Sequence, residues 1–62
     1  MTYQIYYTNF GYGSMNVFTS VEEAVAFGKN RGFEFTVSPA DDRADILYSW
    51  SPIFGARILQ AA

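Results

Sequence analysis

The residues best equipped for chemistry form one short polar stretch, Asp41-Asp42-Arg43-Ala44-Asp45. A DDxxD spacing holds magnesium where a helix sets its carboxylates on one side. Here it falls between strand-like segments, and Arg43 lies among the acids. We read it as a solvated turn that binds no metal. Gly11-Tyr12-Gly13 is a lone GxG. A phosphate cradle needs a further glycine at position 16, where Asn16 stands, and then a helix start, so a hairpin turn is expected instead. Ser14, Ser20, Ser38, Ser49 and Ser51 each carry a hydroxyl, but the chain has no histidine to activate one. Lys29, the other candidate base, falls on the solvent face of a helix. Glu34 could pair with a loop aspartate as an acid–base couple, yet such a pair needs a cleft that so small a chain rarely offers. Cysteine is absent too, which removes the usual zinc ligands. No catalytic residue, metal or cofactor is implied.

The elements that would position these groups are legible. Residues 3–8, Tyr-Gln-Ile-Tyr-Tyr-Thr, are aromatic and β-branched and read as a strand. Tyr3, Ile5 and Tyr7 share one face; Gln4, Tyr6 and Thr8 share the other. Residues 9–14 carry two glycines and suit a hairpin loop into a short strand at about 15–18. Ser20-Val21-Glu22-Glu23 is a capping box. The helix it opens should run over 21–31, with Lys29 and Arg31 at the negative end of its dipole and Gly32 as a left-handed stop. Val21, Ala24, Val25 and Gly28 form its apolar face, with Phe27 on the flank. Glu22, Glu23, Ala26, Lys29 and Asn30 face solvent. Residues 33–38 alternate, which puts Phe33, Phe35 and Val37 inward. Further strands follow at 46–50 and about 56–60, the latter with Ile58 inward. Pro52 starts the turn between them, and that turn ends at Gly55. We read the order as ββαββ: an α+β domain, a small antiparallel four-stranded sheet with one helix packed on one face.

Size and charge bound the function. The 62 residues make one domain, 1–62, which buries only about 60% of its unfolded surface. Aromatics at 19% of the residues let so small a core fill its volume. A net charge of −2 argues against general affinity for nucleic acid. No stretch approaches a membrane span, and the first residues lack a signal peptide's regions. The expectation is a complete, unprocessed chain in the cytoplasm, where an absence of disulfides is ordinary.

One helix covers one sheet face. The other should show Gln4, Tyr6, Thr8, Glu34, Thr36, Leu47, Ser49, Arg57 and Leu59. Ile53 and Phe54, two apolar residues in a tight turn, either fold back over the helix end or anchor a partner, and Phe10 and Tyr12 raise the same question. The candidate partner-binding residues are the anchors Tyr6, Tyr12, Phe54 and Arg57. The acidic Glu34, Asp41 and Asp42 would steer a basic partner.

The tyrosine-rich first strand, Ser20-Val21-Glu22-Glu23-Ala24, Arg31-Gly32-Phe33-Glu34 and a late Trp50-Ser51-Pro52 together span most of the chain. In this pattern the chain resembles short proteins of bacteriophages and other mobile elements. Some of these inhibit host defence, anti-CRISPR proteins among them. The resemblance implies a non-enzymatic binder that occupies a surface on a larger host protein, such as a CRISPR–Cas effector. No functional residue carries over with it. The alternatives are a self-associating protein that pairs through its open sheet face or edge strand, giving a homodimer, and a small single-stranded nucleic-acid binder in which Tyr6, Tyr12 and Phe54 stack on bases.

Overall fold

The computed structural model describes residues 1–58. It is an α+β fold with strands β1 (Tyr3–Tyr7) and β2 (Tyr12–Phe18), helix α1 (Val21–Arg31), and strands β3 (Phe35–Pro39), β4 (Tyr48–Ser51) and β5 (Gly55–Ile58). The sheet has five strands where four were expected, in the spatial order β2-β1-β3-β4-β5. The chain order is therefore ββαβββ. Each of the five strand-like segments of the sequence forms its own strand, and every neighbouring pair is antiparallel. No helix among the described residues is long and apolar enough to cross a membrane.

The helix begins and ends where its caps dictate. Glu23 N–H donates to Ser20 Oγ at 3.1 Å, so the N-cap half of the capping box is made. At the other end Gly32 has φ of 80°, and its N–H donates to the Lys29 carbonyl. Ala24 and Gly28 are buried, while Glu22, Glu23, Ala26, Lys29 and Asn30 are exposed as expected.

Cross-strand register fixes the two faces. Ile5 opposes Val37, which opposes Tyr48, which opposes Ile58; likewise Tyr7, Phe35, Trp50 and Ala56 run in one row. Both rows lie on the helix side. Ile5, Tyr7, Phe18, Ala24, Phe35 and Val37 make the core, with Tyr3, Val21, Val25, Phe27, Tyr48 and Trp50 packed around it. The helix sits over β1, β2 and β3. The β4–β5 hairpin projects past it.

Three expectations change. Ile58 is on the helix side, but it lies beyond the helix and is 73% exposed. Phe33 does not enter β3. The left-handed Gly32 turns the chain, and Phe33 is left 46% exposed, with Phe35 as the first inward residue. Strand β2 starts at Tyr12, earlier than expected, because it carries a bulge. Between the pairs Tyr6–Gly13 and Gln4–Val17, β1 spends one residue and β2 spends three. The bulge is held from both sides. Gln4 Nε2 donates to the Ser14 carbonyl at 3.0 Å, and Asn16 N–H donates to Ser14 Oγ at 3.1 Å. Leu59 and residue 60, expected in the last strand, lie outside the described residues.

The helix lies close to the sheet at Gly28. A Cβ built there would stand 2.6 Å from ring carbons of Phe35, which is fully buried and cannot swing away. Gly28→Ala should gain up to about 1 kcal/mol of helix propensity and lose more to overpacking. We expect a net destabilisation of about 1–2 kcal/mol, read as a lower denaturant midpoint. A midpoint equal to or above that of the parent would show that the interface is looser than this contact demands.

Candidate binding surfaces

One end of the molecule gathers aromatic rings from three separate segments. The β1–β2 turn is tight. Phe10 N–H and Gly11 N–H both donate to the Tyr7 carbonyl, and Gly11 takes φ of 73°. This turn is the expected fate of the GxG segment, and it lifts Phe10 and Tyr12 to the surface. Register sets Tyr12 across from Tyr7, with ring centroids 5.9 Å apart. The Gly32 stop brings Phe33 to the same place, where it meets Phe10 edge-on at 4.9 Å and 84°. Phe27 and Arg31 reach in from the last turns of α1, the Arg31 guanidinium carbon standing 4.9 Å from the Phe27 ring centroid. The bulge adds Met15, which is 97% exposed. Together these residues line an open cleft of about 230 Å³.

The expected site residues divide among several places. Tyr12 belongs to this aromatic cleft. Glu34, Phe54 and Arg57 come together with Ser49 and Ser51 around a second cleft of about 380 Å³ at the end of the β4–β5 hairpin. Phe54 there is 89% exposed. Ser51 Oγ holds the turn by accepting from Ile53 N–H and Phe54 N–H at 3.1 and 3.3 Å, so these residues point outward and do not fold back on the helix. Tyr6 is half-buried on the open sheet face, and Arg43 from the β3–β4 loop lies over its ring at 4.6 Å. Asp41 and Asp42 are exposed on that loop. Asp42 Oδ1 accepts from Ala44 N–H at 3.2 Å, a local turn bond. Among the described residues no three His, Cys, Asp or Glu side chains gather as a metal-ligating group.

The sequence reading left Phe10 open, set Phe33 inward and gave Arg31 only to the helix dipole. A signal for Phe33 was present. An apolar residue directly after a helix-stopping glycine tends to pack back toward the helix end. Nothing local announces that the hairpin tip, bulge and helix end converge, because that follows from the β2-β1-β3 arrangement.

Tyr7 forms the floor of the cleft. Burial raises its phenol above the ordinary value, the Arg31 guanidinium pulls it back, and Tyr12 adds to the rise. A phenol whose folded pKa is raised contributes stability that is complete below the unfolded value, about 10. That contribution is lost as pH climbs through the folded value. Tyr7→Phe should therefore lose less stability than the parent between neutral pH and the range above about pH 10. Denaturant melts across that range read the difference; identical pH profiles would contradict it.

Compared with protein-family models, with curated proteins and with solved structures, the chain finds no match.

Proposed function

We propose that this chain is a non-enzymatic protein-binding module that acts by covering a surface on a larger partner through the aromatic cleft. The observation that carries the reading is the composition of that cleft. Phe10, Tyr12, Phe33 and Met15 are exposed beside Arg31. Aromatic residues, methionine and arginine are the types enriched in protein interfaces, and aromatic and arginine anchors dominate binding energies. Solvent-exposed rings clustered on so small a chain cost solubility unless something covers them. The specific form of the proposal follows the resemblance to phage proteins: the partner is a host defence protein such as a CRISPR–Cas effector, and the chain is its inhibitor. A nucleic-acid role is weaker. The open-face ring best placed to stack on a base, Tyr6, is already covered by Arg43.

The test is an alanine scan against a partner captured from host lysate, with affinities read by surface plasmon resonance. Phe33→Ala, Tyr12→Ala and Arg31→Ala should each weaken binding by about tenfold or more, with little change in melting temperature. Glu34→Ala, Phe54→Ala and Arg57→Ala probe the hairpin cleft. If only this second set reduces affinity, the interface lies on the hairpin and the aromatic cleft is solvated surface.

A further inference from the structure

Two polar groups stand among the rings of the aromatic cleft. The first is Arg31, exposed at the cleft wall. Its guanidinium carbon lies over the Phe27 ring, 4.9 Å from the centroid. A cation–π contact holds the side chain in place but uses none of its N–H donors in hydrogen bonds. The second is Tyr7, at the floor. Its side chain is only 7% exposed, and among the described residues its hydroxyl makes no hydrogen bond. No fully enclosed polar side-chain atom of the described residues lacks a partner. This hydroxyl therefore opens onto the cleft that Tyr7 lines. Arg31 is close enough for its charge to act on that phenol. Both groups can donate, and no Asp or Glu lines the cleft. Its complement is an anion.

Size and charge choose the anion. The cleft, at about 230 Å³, is smaller than the roughly 300 Å³ at which small-molecule sites begin. It suits side chains on the surface of another protein. Nucleic acid presents a charge at every phosphate and needs a basic track. Here the other basic residues point elsewhere. Lys29 borders the opposite flank of α1, Arg43 covers Tyr6 on the open sheet face, and Arg57 lines the hairpin cleft. One guanidinium matches one unit charge. A carboxylate carries that charge on two oxygens, which a guanidinium pairs in parallel. Phe10, Tyr12 and Phe33 beside it offer apolar surface to a neighbouring side chain.

The chain's own acids leave this site positive. Glu22 and Glu23 precede Arg31 by nine and eight residues. That sets them about 12 Å or more away along the helix, beyond the Debye length of about 8 Å at physiological salt. Glu34 lines the hairpin cleft, and Asp41 and Asp42 sit on the β3–β4 loop.

We propose that the cleft is a carboxylate pocket, which takes from the partner protein an Asp or Glu with a large apolar residue beside it. Arg31 pairs the carboxylate, the Tyr7 hydroxyl donates to it from below, and the rings hold the apolar neighbour. This assignment rests on the reading of the cleft as the protein-binding surface, and it adds the chemistry of what that surface recognises.

Two blocked dipeptides test it: acetyl-aspartyl-phenylalanine amide and its asparaginyl counterpart, nearly equal in shape and different in charge. Binding is followed by amide and Arg31 Nε–H chemical shifts of the isotope-labelled chain. The aspartyl probe should shift residues 10–16 and 27–33 and bind at least about tenfold more tightly than the asparaginyl probe. R31Q should bring the two probes to equal affinity. Y7F should narrow the gap by a smaller factor, and R57Q, outside the cleft, should leave it unchanged. The wild-type comparison needs no variant to fold. Equal affinity of the two probes for the wild-type cleft would overturn the carboxylate assignment and leave the cleft as a binding surface. Binding of neither probe there would overturn both readings. An oligothymidylate that binds the same residues more tightly than the aspartyl probe would overturn the assignment in favour of nucleic acid.

Discussion

The close approach of α1 to the sheet at Gly28 and Phe35 governs the rest of this molecule. With no side chain at Gly28, the Phe35 ring fits directly under the helix. That ring in turn packs on Trp50 at 5.6 Å and Tyr48 at 6.3 Å, tying β4 to the core. A helix seated this low, over β1, β2 and β3, cannot also cover the hairpin beyond. Two consequences follow on its two flanks. On one, Phe27 and Arg31 face the tip of the first hairpin across the aromatic cleft. On the other, the β4–β5 half is left with its apolar row in view.

Small size forces these choices. Only six hydrophobic residues are buried among the described residues, so half-buried aromatics carry much of the remaining packing. Large rings are efficient for a small core, but they cannot all be hidden. Tyr7 and Phe18 are inside, Tyr48 and Trp50 are partly covered, and Phe10, Tyr12 and Phe33 are left outside. The rings left outside are the ones that line the aromatic cleft. The hydroxyls of Ser14, Ser20 and Ser51 accept backbone N–H groups at a bulge, a helix cap and a turn, which is structural work.

Local signals were read well because they act locally. The N-cap serine and the left-handed glycine fix α1 at Val21–Arg31, the span expected from sequence. Alternation correctly set Ile5, Tyr7, Phe35 and Val37 inward. What alternation cannot say is how far one helix extends across a sheet. Ile58 follows the inward pattern and still meets solvent, since α1 does not extend over it. The four-strand count fell one short of the five strand-like segments read along the chain, all of which pair in the sheet. The bulge at Ser14–Asn16 was hidden because its cause, the Gln4 amide, lies ten residues away. Phe33 was misplaced by treating its strand as starting at the first apolar residue, although Gly32 redirects the chain before pairing begins. Of the candidate site residues, Glu34, Phe54 and Arg57 proved to be neighbours. Tyr12 found a richer setting than the sequence suggested.

The central claim is that the cleft between the first hairpin and the helix end is the surface that meets a larger protein. Mapping the contact on this chain tests it most directly. Amide chemical shifts of the isotope-labelled chain would be followed as the captured partner is added. The account predicts that perturbations centre on residues 10–16 and 27–33, with the 41–45 loop and the 52–57 turn nearly unchanged. Shifts confined to those last two segments, with the cleft silent, would contradict it.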